Sequence, residues 1–130
     1  MIEQIAKTDF YEVSVDKAKN RWYVVIKGTW ERTTQVANYL ADCSKGLSQM
    51  TRGFTAMGDL SQAGPPSPEV ASLHEGLQKR IVALGASKVA EVVPPAALAT
   101  ASFDKVAAQS QMARKQFTSR ADAEAWLDQK

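Results

Sequence analysis

A chain of 130 residues with 45% apolar and 23% charged side chains has the size and balance of one soluble globular domain, able to bury a core without disulfide or metal staples. Sixteen Lys and Arg against fourteen Asp and Glu leave a net charge of +2, scattered rather than massed in a block, which argues against a nucleic-acid binder. The single cysteine, Cys43, excludes an intramolecular disulfide and a thiolate metal cage, and no run approaches the roughly 18 apolar residues of a membrane span.

The first residues, Met1 to Lys7, are acidic early and lack a long apolar stretch, so they do not read as a signal peptide, and a cytoplasmic location is expected. From Phe10 to Asp16, Tyr11, Val13 and Val15 alternate with Glu12, Ser14 and Asp16. This is the period of a strand with one wet face, and it is placed at a sheet edge. Lys17 to Asn20 supplies a turn, and Arg21 to Thr29 is nearly continuous in β-branched and aromatic residues, which suits a strand covered on both faces. The short connection predicts an antiparallel hairpin.

Thr29 is placed as the cap of a first helix, with Glu31 in its first turn and a buried stripe of Val36, Leu40, Cys43 and Leu47. Arg52 to Asp59 is the next strand. Gly64-Pro65-Pro66 interrupts regular structure, and Ser67 as cap with Pro68 at the first helical position starts a second helix. That helix carries Val70, Leu73, Leu77, Ile81 and Leu84 on one side and stops at Gly85. Val89 to Val93 is a further strand, ended by Pro94-Pro95. A helix from Ala97 to about Lys115 follows, with Leu98, Ala101, Val106 and Met112 as contacts. Gln116-Phe117-Thr118 sits where a short terminal strand could enter, and Ser119 to Asp122 has capping-box-like spacing ahead of Ala123, Trp126 and Leu127.

The alternation predicts one α/β domain over residues 1–130. Its single mixed, mostly parallel sheet has four to five strands, an antiparallel N-terminal edge hairpin and about four helices.

The apolar strand Arg21 to Gly28, the Gly58-Asp59-Leu60-Ser61 segment, the strand Lys88 to Pro94 and the ending Gln116-Phe117-Thr118-Ser119 with Ala123-Glu124-Ala125-Trp126-Leu127 carry a resemblance over nearly the whole chain. The pattern resembles the STAS domain family of anti-sigma-factor antagonists and sulfate transporters, in particular its SpoIIAA-like stand-alone bacterial branch. Antagonists of that family carry Asp-Ser-Ser-Gly at the start of the helix after the third strand, where a kinase partner phosphorylates a serine. Aligned without gaps from Asp59-Leu60-Ser61, this chain has Gly64-Pro65-Pro66-Ser67 there. The phosphoacceptor position is therefore Pro66, and Ser67 lies one residue farther on.

Ser67 reads first as a helix cap and second as a regulatory phosphosite, since a phosphate at a helix N-terminus meets free N–H groups and a favourable dipole. Asp59 fits a loop-organising Asx turn or a ligand-binding carboxylate, and Ser61 shares that ambiguity. No neighbouring carboxylate in sequence supports a magnesium site. His74, the only histidine, falls beside or on the buried stripe of its helix, and catalysis there would need a nucleophile and an orienting acid that no local motif supplies. Cys43 reads as a small core residue. Trp22 and Trp126 read as core, whereas Trp30 at a strand-to-helix junction is the tryptophan expected nearest the surface. Gly76 inside a helix marks close packing against another helix or a ligand.

The reading that follows is a non-enzymatic cytoplasmic binding or regulatory module, acting on a protein partner or small ligand at the edge formed by Asp59, Ser61, Ser67 and Trp30. The alternative is a carrier of a small apolar ligand or lipid, because the SpoIIAA-like branch is structurally similar to lipid-exchange domains of CRAL-TRIO type. No cofactor, metal, nucleic acid or membrane insertion is expected. A homodimer would form if a second copy covered the opening edge strand or an exposed helix face.

Overall fold

The computed structural model describes residues 2–30, 32, 36–64, 67–93 and 114–129. Within them β1 (Ile2–Lys7), β2 (Tyr11–Asp16), β3 (Arg21–Gly28), β4 (Thr55–Ala63), β5 (Lys88–Val92) and β6 (Arg114–Phe117) lie side by side in sequence order. The first two pairings are antiparallel and the remaining three parallel. The described helices are α1 (Tyr39–Leu47), α2 (Pro68–Ala83) and α3 (Arg120–Asp128).

β3 explains why the sheet has two dry faces. Trp22, Val24 and Ile26 point to the side on which α1 and α2 bury Tyr39, Cys43, Leu47, Val70, Leu77 and Ile81. Tyr23 points to the other side, where Met57, Ala90 and Val92 meet Ala123 and Leu127 of α3. A strand covered on both faces has no polar alternation, which accounts for the continuous apolar run. On the α3 side charged residues are also drawn in, Arg21 and Asp59 among them. Arg21 is 3% exposed, donates from Nε to Thr55 Oγ1 at 2.7 Å, and pairs with Glu124 and, at 2.9 Å, with Asp128. Tyr23 donates its hydroxyl to Glu124 Oε1 at 2.5 Å. Lys88 Nζ donates to Trp126 O at 3.2 Å and Gln129 O at 2.6 Å, so a second cation meets the unpaired carbonyls at the C-terminal end of α3.

Several expectations are corrected. Among the described residues the sheet has six strands rather than four to five, and β1 replaces β2 as its outer strand. Ile2, Glu3 and Gln4 are exposed and a register shift interrupts the pairing between Gln4 and Ala6, so β1 carries no clean alternation to read. α1 begins at Tyr39 with Asn38 at its N-cap, not after Thr29. Thr29 instead lies against Gly64, where a Cβ would collide with the Thr29 side chain. The inward residues of α1 and its approach are Val36, Tyr39, Cys43 and Leu47, while Leu40 turns outward. β4 runs past Asp59 to Ala63. Val25 pairs with Asp59 but Lys27 with Gln62, so β4 accommodates an extra residue in a bulge at Leu60 and Ser61. Leu84, expected on the buried side of α2, is exposed. Glu31, Pro66 and nearly all of the helix expected from Ala97 to Lys115 lie outside the described residues.

Candidate functional site

α2 owes its start to sequence. Pro68 occupies the first turn and Ser67 Oγ accepts from Val70 N–H at 3.3 Å, so one of the orphan donors at the helix N-terminus is satisfied. The helix then lays Val70, His74, Leu77 and Ile81 across β3, β4 and β5. Beneath it β4 presents Ala56 and Gly58, two small residues where neighbouring strands present Val24, Ile26 and Val89. A Cβ on Gly58 would approach only Val24 Cγ1, at 3.8 Å. The shortfall in side-chain volume leaves a cavity of about 50 Å³, room for a few waters or one small apolar group.

Its wall is mainly apolar, with Tyr39, His74, Gln78 and Glu91 as the polar exceptions. His74 is 8% exposed, and its Nδ1 lies 3.1 Å from Val70 O. A carbonyl can only accept, so Nδ1 carries the proton and a neutral ring bears its lone pair on Nε2. Burial lowers the His74 pKa to about 4, against the raising effect of that hydrogen bond. The ring packs at 5.5 Å from Trp30 and 5.6 Å from Tyr39, and Trp30 and Tyr39 meet edge to face at 4.8 Å. Burial likewise pushes the Tyr39 phenol well above its ordinary value and the Cys43 thiol up to about 12. Burial thus holds Tyr39, Cys43 and His74 in their neutral forms near pH 7.

The residues singled out from sequence do not form one cluster. Asp59 and Ser61 are joined directly, Asp59 Oδ1 accepting from Ser61 N–H at 3.0 Å and from its hydroxyl at 2.6 Å. The other carboxylate oxygen of Asp59 lies 3.8 Å from Arg120, on the α3 side of the sheet. Ser67 caps α2. Trp30, expected near the surface, is 2% exposed, because the chain after β3 folds it inward against Tyr11, Tyr39 and His74, and its indole N–H is satisfied by Lys27 O at 3.0 Å. Sequence reasoning passed over Tyr39, Gln78 and Glu91, and took Gly58 only as part of the segment Gly58 to Ser61. The usable signals were the small residues at alternate positions 56 and 58 of an otherwise apolar strand, and an acid between Ala90 and Val92. Among the described residues no cluster of three His, Cys, Asp or Glu could hold a metal ion, and no helix is long and apolar enough to cross a membrane.

No family model matches the chain, and no curated protein is similar to it in sequence. Among solved structures, it is similar to an uncharacterized protein of the DUF3478 family with a SpoIIAA-like fold from Shewanella loihica PV-4. The two share 16% identity over 94% of this chain and 97% of the other, with a TM-score of 0.64. The likeness shows the SpoIIAA-like fold that the sequence resemblance implied.

Proposed function

We propose that this chain is a non-catalytic binding module whose small, predominantly apolar ligand occupies the cavity between α2 and β3 to β5. The observation that carries the reading is the pairing of Ala56 and Gly58 beneath α2, which leaves space in a core otherwise filled by large side chains. Close packing is the rule in protein interiors, and unfilled volume costs stability. The neutral His74, Tyr39 and Cys43 support binding over catalysis. At about 50 Å³ the cavity takes a small group and not a whole acyl lipid, since pockets for drug-sized ligands span roughly 300–1,000 Å³. The interior is preferred to the edge from Asp59 to Ser67, where the carboxylate and hydroxyl groups already hold the local backbone.

Methyl NMR of the full chain under xenon pressure tests the reading. Shifts concentrated at Val24, Ile26, Leu60, Ile81 and Val89 are the expected result. Unchanged methyls, or a response elsewhere on the molecule, would reject the cavity as a binding site.

A further inference from the structure

α2 also turns a face toward α1. Leu73, Gly76, Leu77 and Arg80 line up along it and, with Leu40 and Ser44 of α1, border an open groove of about 280 Å³. Leu40 is 44% exposed. Leu77 borders both this groove and the cavity beneath α2. Gly76 is unexplained by the protein's own packing. A Cβ there would meet nothing within 4 Å, although glycine in a helix interior is less stable than alanine. The position therefore keeps an open floor in the groove at a cost to the helix.

The groove also has a charge. Lys79 is paired with Glu75 at 3.0 Å, but Arg80 has no ion-pair partner among the described residues. A guanidinium matches the two oxygens of a carboxylate in a planar fork, and one cation matches one negative charge. We propose that the groove binds a linear aliphatic monocarboxylate. Its hydrocarbon lies over Gly76 between Leu40 and Leu73, its carboxylate sits on Arg80, and its tail displaces Leu77 to enter the cavity. This rests on the cavity reading above and adds to it the mouth, the direction of entry and the ligand class.

The test uses the full chain with octanoate as the charged probe and octanol as the neutral one, followed by methyl and arginine Nε NMR. Octanoate is expected to shift Leu40, Leu73, Leu77 and Arg80, with octanol about tenfold weaker. Arg80→Gln is expected to weaken octanoate about tenfold and leave octanol unchanged. Gly76→Leu, which places a side chain in the groove, is expected to abolish binding of both. Gly76→Ala, measured without ligand, is expected to raise Tm by about 4 °C. A fall in Tm would show that glycine is required by the fold and would overturn the inference. Equal binding of octanoate to wild type and Gly76→Leu, or silence of the groove methyls, would do the same. If the cavity methyls answer xenon while the groove ignores octanoate, this inference alone fails; silence to both probes removes the cavity reading as well.

Discussion

Burial decides the chemistry of His74. Its folded pKa of about 4 lies below the ordinary 6.5, so between those values the unfolded chain takes up a proton that the folded one does not. The unfolded state then binds more protons, and stability falls as pH drops from 6.5 toward 4. The full difference is on the order of 3 kcal/mol. His74→Leu is expected to flatten that part of the pH dependence, and urea unfolding of the two proteins across this window measures it. Equal slopes would mean that His74 is reached by solvent. Ser67 makes a simpler case. Its hydroxyl accepts from Val70 N–H, and Ser67→Ala should cost about 1 kcal/mol, read from the urea midpoint. The cap was legible because serine followed by proline carries its own local geometry. The surroundings of His74 were not, because Trp30 and Tyr39 reach it from parts of the chain that no spacing rule connects.

At the scale of elements, the strands and helices whose ends are set locally were the legible ones. α2 sits between Ser67-Pro68 and a glycine at position 85 with φ +92°, and α3 follows Ser119, which accepts from Asp122 N–H. α1 was misplaced because Thr29 and Glu31 look like a helix start, whereas Thr29 is committed to the Gly64 contact and Trp30 to the core. β4 was cut short because Asp59 reads as a strand end, although its Asx-type contact with Ser61 forms a bulge within the strand. The docking of α3 depends on nonlocal charge. Glu124 holds both the buried Arg21 and the Tyr23 hydroxyl. Glu124→Ala should cost about 3 kcal/mol, because it strips a partner from a buried cation. Adding Arg21→Met should recover part of that loss, and a double-mutant cycle by chemical denaturation measures the coupling. Additive losses would show that Asp128 alone satisfies Arg21.

For the molecule as a whole, the α/β alternation was enough to predict a mixed, mostly parallel sheet, yet nothing in it revealed the cavity beneath α2. The cavity exists because Ala56 and Gly58 of β4 fall beneath Leu77 and Ile81 of α2, a juxtaposition set by the register of β4 against β3 and β5. A glycine in a buried strand is a poor choice for stability, since it neither packs nor restrains the backbone. Space retained for a ligand would explain it, and the trade is measurable. In Gly58→Ala the new methyl approaches Val24 Cγ1 at an ordinary 3.8 Å and occupies part of the void. The expected gain is about 1 kcal/mol, read as a higher midpoint in thermal or urea unfolding, together with weakened xenon response at Val24, Leu60 and Ile81. A variant that is more stable and binds less would mark the void as kept for function. A variant that gains stability with its xenon response intact would place the bound probe elsewhere, and one that loses stability would show that the space at Gly58 does not admit a methyl group.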